Sequence, residues 1–468
     1  MFVSKYSNPE FSPYDDETVP DTSVPGNWPA PTVSKALSAS LSLPGSKSLT
    51  NRELVLAALA EAPSRLHAPL HSRDSALMIQ ALRALGVGIE EIATGSVFGP
   101  DLRITPNELE GGSSIDCGLA GTVMRFLPPV AALALGPVAF DGDAAAQRRP
   151  MRTTIDSLRA LGVDVSDDGR GTLPFSLYGL GSVVGGEVSI DASASSQFVS
   201  GLLLAAARFD NGLTLRHTGK TLPSMPHIEM TIACLAARGV VVESPEPGVW
   251  VVPPGPIAAI DVALEPDLSN AAPFLAAAVV AGGTVTIEGW PETTTQVGAD
   301  LEQLLPLFGV AATRGDGSLT IDGGVGVVGG HRYPGIKLDL STGGELAPAI
   351  VALAALASTA SDISGIGHLR GHETDRLAAL SAEINALGGS VTELEDGLHI
   401  EPAELHGGVW HSYEDHRMST AGAIIGLAVD GVEIEGIEST AKTLPQFPEL
   451  WNTLVGNTPP APDTLGLL

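Results

Sequence analysis

Three kinds of residue stand where this chain could do chemistry. The first is a basic turn, "PGSKSLTNR" at 44–52, in which Lys47, Ser48 and Arg52 open an almost wholly apolar helix. A nucleotide phosphate loop requires Gly, four residues, then Gly-Lys-Ser/Thr. Here Ser46 separates Gly45 from Lys47, and Ser40 stands where the upstream Gly would be, so the nucleotide reading fails on spacing. What remains is an anion site made of a Lys, a hydroxyl and N–H groups at a helix N-terminus, or a Ser-capped helix with a solvated Lys. The second kind is the tandem pair Ser195 and Ser196 ahead of another apolar helix, able to hold a phosphate or only to cap. Gly121 and Thr122 precede a third such helix, either as a turn and cap or as a place where a ligand meets bare backbone. The third kind is charge gathered into short motifs: "QRRPMR" at 147–152, "RGHETDR" at 370–376, "EDHRM" at 414–418 and "TAKTLP" at 440–445. With the basic turn and Arg125 these hold Lys47, Arg52, Arg125, Arg148, Arg149, Arg152, Arg376, Arg417 and Lys442, a large share of only 25 bases. Arg149, Arg376 and Arg417 can each grip a phosphate or carboxylate with two N–H groups, or sit in solvent or a salt bridge. Glu373, between His372 and Asp375, is a reactive carboxylate or a capping-box one.

The elements that must position these residues repeat. Six segments pair a polar motif with a small-residue apolar run, and their markers Ser48, Thr122, Ser196, Ser269, Glu345 and Arg417 fall at steps of 74, 74, 73, 76 and 72 residues. Six amphipathic segments close on Gly86, Gly162, Gly239, Gly309, Gly388 and Gly456, which follow those markers by 38, 40, 43, 40, 43 and 39 residues. The glycines read as helix C-caps, and the β-branched runs after them turn back through Asp-Gly as hairpins. One unit is therefore strand, buried helix, strand, amphipathic helix and hairpin. A helix apolar on every side must be covered all round, which three packed units achieve, so the expectation is two domains of three units. The join falls in the proline-rich stretch "ESPEPGVWVVPPGPIAAIDV". Units arranged about a pseudo-threefold axis aim their buried-helix N-termini at one face, where positive dipoles attract anions.

With 25 Lys and Arg against 54 Asp and Glu, the net charge is −29, which argues against nucleic acid and anionic membranes as partners. Two cysteines, Cys117 and Cys234, are too few for a disulfide framework or a zinc site, and a reducing, cytoplasmic setting fits best. The longest apolar runs fall short of a bilayer span, and no basic region precedes an apolar core at the N-terminus. Residues 1–31 read as a disordered acidic extension, and 456–468 as a flexible tail.

In order along about 33–455, "PGSKSLTNR", "AGTVMR", "RRPM", "SSQF", "HETDR", "DHRM" and "AKTLP" resemble the 5-enolpyruvylshikimate-3-phosphate synthase family. The resemblance implies an α/β fold of two domains, each three βαβαββ units about a pseudo-threefold axis (an inside-out α/β barrel), joined by a two-stranded hinge that closes over the substrates. It divides the chain into 47–256 for units one to three, and 32–46 plus 257–455 for units four to six. The implied reaction moves the enolpyruvyl group of phosphoenolpyruvate to the 5-hydroxyl of shikimate 3-phosphate and releases phosphate, without metal or cofactor, in a monomer. By motif, shikimate 3-phosphate would meet Lys47, Ser48, Arg52, Ser195, Ser196, Gln197, Ser224, Glu345 and His372. Phosphoenolpyruvate would meet Lys47, Gly121, Arg149, Gln197, Arg376, Arg417 and Lys442. Glu345 takes the place of the family's proton acceptor and Glu373 of its donor, with Lys47 assisting. Departures from the common pattern are Glu345 for Asp, His372 for Lys, Leu119 and His368 for Asn, and His227 for Tyr. Two other readings are enolpyruvyl transfer to UDP-N-acetylglucosamine, which relies on a mobile-loop Cys, and a non-catalytic binder of phosphorylated metabolites.

Overall fold

A computed structural model of the protein describes residues 26–456. Twelve α-helices appear among the described residues: α1 (Lys47–Ala58), α2 (Arg73–Ala84), α3 (Gly121–Ala131), α4 (Arg152–Ala160), α5 (Gln197–Ala206), α6 (Met225–Ala237), α7 (Leu268–Ala281), α8 (Leu301–Leu304), α9 (Ala347–Ala355), α10 (Arg376–Ala386), α11 (His416–Gly426) and α12 (Phe447–Leu454). The odd-numbered helices are the apolar runs, and α3, α7 and α9 are buried along their whole length. α1, α3 and α5 pack on one another pairwise, as do α7, α9 and α11. At Gly201 in α5 an added Cβ would lie 2.1 Å from the carbonyl oxygen of Arg125, so only glycine lets α5 approach α3 this closely.

The six glycines expected to end the amphipathic segments all lie in the left-handed region, with φ between +78° and +93°. After α2, α4, α6 and α10 the next N–H returns to the carbonyl five residues back, as Val87 to Leu82 at 3.1 Å and Val163 to Leu158 at 3.0 Å. That is a Schellman closure, which a Cβ at the glycine would strain. The weakest copy is α8, four residues long and continued as a 3-10 turn over Leu305–Phe308.

Each helix pair is backed by its own sheet of three or four strands, six in all among the described residues. Every sheet contains one parallel pair with an antiparallel strand added beside it, and in four of the six among the described residues a buried helix spans that pair. In the second unit, Ser113–Asp116 runs parallel to Leu135–Asp141, which pairs antiparallel with Phe175–Leu180. The expected hairpin is cut short in the third unit, where Glu243 and Val251 form only an isolated bridge.

Two hydrophobic cores result, one drawn from Leu54 to Leu264, the other from Ala30–Leu43 together with Leu268–Leu454. The chain passes between them twice, side by side. Ser46 donates to the carbonyl of Glu265 at 2.8 Å, Asp267 to that of Pro44 at 2.9 Å, and Gly45 bridges Pro266 antiparallel.

Two expected boundaries need correction. The crossing lies at about 265 and not 257, because Val262–Ala263 runs parallel to Leu66–His67 and supplies the strand that the first unit lacks when the chain enters it directly at α1. Leu37–Leu41 serves the fourth unit in the same way, parallel to Gly283–Glu288. The stretch 26–31 is not part of a disordered extension, since Trp28–Pro29 pairs with Val432–Glu435 and Ala30 is in the second core. Residues 1–25 of that expected extension, and 457–468 of the tail, lie outside the described residues.

Candidate active site

The two cores face each other across one cleft, and the hinge sets its floor. Asp267, six per cent exposed, takes the backbone N–H of Lys47 on Oδ2 and of Asn270 on Oδ1, both at 2.9 Å. One carboxylate thus caps α1 and α7, the first buried helix of each half. The N–H of Lys47 is therefore spent on Asp267 and that of Leu49 on Ser46 Oγ, so at this turn Lys47 offers a ligand its side chain. The Lys47 ammonium is held loosely, 3.7 Å from Asp74. At α3 no side chain caps the helix and its N-terminus remains open, whereas at α5 Ser195 Oγ takes the N–H of Gln197, and α9 is entered through a 3-10 turn over Gly344–Leu346 that bonds the Ala347 N–H to the Gly344 carbonyl.

On the first wall, Arg52 lies over the Phe126 ring and donates to Thr231 Oγ1 and to the carbonyls of Ser48 and His227 at 2.8–2.9 Å, and to Ser200 at 3.4 Å. Four of its five N–H groups are thereby committed, and burial lowers its pKa to about 10. Ser195 accepts from the N–H of Gln197 at 3.2 Å, leaving Ser196, the formal cap, without a capping bond. Ser224 opens α6 in a left-handed conformation, φ +54°, and its N–H reaches the Ser341 carbonyl on the opposite wall at 3.3 Å.

Beside Gly121 are two guanidiniums with unusually little to bind. Arg125 is three per cent exposed and Arg149 eight per cent, and each has a buried Nε without a partner. Their donors go to Met124 Sδ at 3.4 Å and to the carbonyls of Pro150 and Leu119 at 3.3 Å. Neither forms a salt bridge among the described residues. Burial and the nearby Arg149 hold the Arg125 pKa well below that of a solvated guanidinium. Two buried, unpaired like charges are costly unless an anion completes the site.

The second wall carries the carboxylates. Glu345 takes the Ser269 hydroxyl on Oε1 at 2.5 Å, while Oε2 faces His227 Nε2 at 3.4 Å and Arg417 at 3.6 Å. Burial would raise its pKa, but His227, Arg417 and Ser269 together hold it well below the carboxylate range. Glu373 is gripped by Lys442 Nζ at 2.5 Å and by Arg376 at 3.1 Å. Burial again opposes ionisation, and Lys442, Arg376 and Arg149 overcome it. Arg376 itself is locked bidentate on Asp415, 2.7 Å from Nε and 3.1 Å from the terminal nitrogen. Burial and Arg376 keep His372 neutral, with its Nδ1 3.4 Å from that guanidinium.

The cleft brings together Lys47, Ser48, Arg52, Gly121, Arg149, Ser195, Ser196, Gln197, Ser224, Glu345, His372, Glu373, Arg376 and Arg417. Lys442 is the exception: it stands behind Glu373 and lines a neighbouring cavity. Of the cations grouped by motif, Arg148 and Arg152 turn away to the carbonyls of Ala144 and Gly169. Three contributors went unassigned by role in the sequence: Asp267, Asp415 and His416. His416 is three per cent exposed with both ring nitrogens unpartnered, and burial beside Arg417 and Lys47 keeps it neutral. Its place in "EDHRM", next to Arg417, was the available signal. No cluster of three or more His, Cys, Asp or Glu placed to hold a metal occurs among the described residues.

A family model described as EPSP synthase (3-phosphoshikimate 1-carboxyvinyltransferase) matches residues 31–451. A 3-phosphoshikimate 1-carboxyvinyltransferase of Kocuria rhizophila is 57% identical over 436 residues, 92% of this chain and 97% of the relative. The EPSP synthase of Acinetobacter baumannii superposes with a TM-score of 0.73 at 25% identity, over 92% of this chain and 97% of that one. The enolpyruvyl transferase NikO of Streptomyces tendae shares the fold, with a TM-score of 0.70 at 18% identity over 90% and 96% of the two chains. A cleft walled by cations and two ionised carboxylates, on a sixfold repeat matched over nearly its whole length, leaves one conclusion: the chain belongs to the EPSP synthase (3-phosphoshikimate 1-carboxyvinyltransferase) family.

Proposed function

We propose that this cleft transfers the enolpyruvyl group of phosphoenolpyruvate to the 5-hydroxyl of shikimate 3-phosphate, forming 5-enolpyruvylshikimate 3-phosphate and phosphate. The observation that carries the reading is the buried, unpaired pair Arg125 and Arg149 beside the open N-terminus of α3, facing two ionised carboxylates. Such a pocket is poised for a compact polyanion next to proton-transfer groups. Phosphoenolpyruvate lies against Gly121, Arg149, Arg376 and Arg417, with Lys47 and Gln197 between the two substrates. Shikimate 3-phosphate takes Ser48, Arg52, Glu345 and His372, and its phosphate takes Ser195, Ser196 and Ser224 at the start of α5. Lys442 acts through Glu373.

Glu345 removes the 5-hydroxyl proton as the oxygen attacks C2, and Glu373 protonates C3, giving a tetrahedral intermediate; phosphate then leaves C2 as the C3 methyl returns a proton to Glu373, restoring the double bond. In the unliganded cleft Glu373 is a carboxylate. Bringing the carboxylate and phosphate of phosphoenolpyruvate against Arg376 and Arg149 shares out cations that depress its pKa, and so raises its affinity for the proton it must deliver. Both walls come from one chain, 47–264 on one side and 32–46 with 265–455 on the other, so a monomer has a complete site; the low cysteine content supports a cytoplasmic setting.

Cys117 speaks against transfer to UDP-N-acetylglucosamine, because it is fully buried and burial pushes its thiol up to about 12. Phosphate release is measured with phosphoenolpyruvate plus either shikimate 3-phosphate or UDP-N-acetylglucosamine. Release is expected with the first acceptor only; none with it would sink the reading.

A further inference from the structure

His227 stands at the start of α6 on the first wall, yet its ring belongs electrostatically to the second. Its Nε2 is 3.4 Å from Oε2 of Glu345, with both side chains 18% exposed. Its position is fixed from behind, since its carbonyl oxygen accepts from Arg52 and from Thr231 Oγ1, each at 2.9 Å. Two turns of chain therefore dock across the cleft at one place, through Ser224 on the Ser341 carbonyl and His227 on Glu345.

A carboxylate held as strongly ionised as Glu345 is a weak base, and a proton that it accepts must move on before the next turnover. The groups around the pair are few. Arg417 lies 3.6 Å from the same carboxylate oxygen, Arg376 adds charge from α10, Arg52 sits beneath the His227 carbonyl, and His368 lies beyond, kept neutral chiefly by burial. Guanidiniums stay protonated and cannot accept a proton. Ser269 already donates to Oε1. Among the described residues the His227 imidazole is the one acceptor against Oε2, and its side chain is 18% exposed.

We propose that His227 carries onward the proton that Glu345 takes from the 5-hydroxyl, so that the acceptor of this cleft is a carboxylate–imidazole pair assembled only when the two walls meet. The inference rests on the reading of Glu345 given above. The O–H bond of the acceptor breaks, its proton bonds to Oε2 of Glu345, and its electron pair forms the bond to C2 of phosphoenolpyruvate as the C2=C3 π pair takes the proton from Glu373 at C3. The lone pair of Nε2 then takes the proton from Oε2, restoring the carboxylate, and the imidazolium returns it to water. His227 touches no reacting atom and acts through Glu345. The relay needs a free lone pair on Nε2, so the acid limb of kcat should depend on the side chain at position 227.

The test compares pH profiles of kcat and KM for the native enzyme, His227→Gln, His227→Gly with and without added imidazole, and Glu345→Gln. Gln preserves a hydrogen bond to Glu345 but carries no proton. The expected result is a kcat about 10- to 100-fold lower in His227→Gln, KM for both substrates within about threefold, and a flattened acid limb. Imidazole should restore at least about tenfold of the loss in His227→Gly. Native kcat with an unchanged acid limb in His227→Gln overturns the proposal. So does a loss confined to KM, or a folded His227→Gly that imidazole leaves unrescued. Undiminished turnover in Glu345→Gln overturns instead the reading of Glu345 as acceptor, which separates the two failures.

Discussion

At Gly121 an added Cβ would lie 2.9 Å from Oε1 of Gln197 and 3.3 Å from terminal nitrogens of both Arg125 and Arg149. Those atoms are buried and held by neighbours, so a methyl group can be accommodated only by taking volume from the cavity between them. Gly121→Ala should therefore raise KM for phosphoenolpyruvate by about tenfold or more, some 1.4 kcal/mol, while KM for shikimate 3-phosphate and kcat change by less than about threefold. Steady-state kinetics with each substrate varied in turn decides it; an unchanged KM for phosphoenolpyruvate removes Gly121 from that subsite. The types of residue in the cleft were legible because each sits in a short motif ahead of an apolar run. Their states were not. Arg125 and Arg152 are equally plausible cations in sequence, yet one is buried without a counterion and the other hydrogen-bonds Gly169 at the surface. Pairing is decided by chain segments far away, as with Arg376 and Asp415, 39 residues apart.

Among the elements, the hinge turns on a single side chain. Asp267 caps α7 through Asn270 in the usual way and reaches across to cap α1 through Lys47. Each capping bond contributes about 1 kcal/mol, so Asp267→Ala should cost roughly 2 kcal/mol, and Asp267→Asn, which keeps one acceptor oxygen and turns a donor towards the other N–H, can preserve only one of the two caps. Denaturant unfolding gives the measurement, with each half's transition fitted separately because a two-cored chain need not unfold in one step. A loss below about 0.5 kcal/mol in Asp267→Ala would remove the double cap from the hinge's energetics. The repeat was readable because burial imposes a period on sequence, and the six closing glycines fell where a left-handed residue was needed. The strand exchange was not, because Leu37–Leu41 and Val262–Ala263 carry nothing in their own composition that says which sheet they complete. A sheet edge is filled by whichever strand the connection brings to it, a long-range matter that put the expected boundary about eight residues too early.

For the molecule as a whole, charge and closure are linked. The chain carries a net −29, yet its cleft gathers Lys47, Arg52, Arg125, Arg149, Arg376 and Arg417 around a space bounded by both halves, with Lys442 behind Glu373. In the closed arrangement described here, direct bonds across the mouth include Ser224 to Ser341 and His227 to Glu345. Against these stands the cost of bringing Arg125 and Arg149 up to Arg376 and Lys442 with only Glu373 between. Without anions that repulsion favours separation of the halves about the two crossing segments at 44–46 and 265–267. With both substrates the deficit is filled and the contacts across the mouth decide. A ligand shifts such an equilibrium only by binding one state better, and the trianionic enol phosphate does so because its partners lie on both walls. Small-angle scattering should accordingly show a larger radius of gyration for the free enzyme than for enzyme saturated with shikimate 3-phosphate and a non-reactive analogue of phosphoenolpyruvate. The difference should shrink when Arg149→Ala removes a cation that repels the opposite wall. Superimposable curves with and without ligands would mean that the closed form is the resting one, and that the buried guanidiniums are tolerated without an anion.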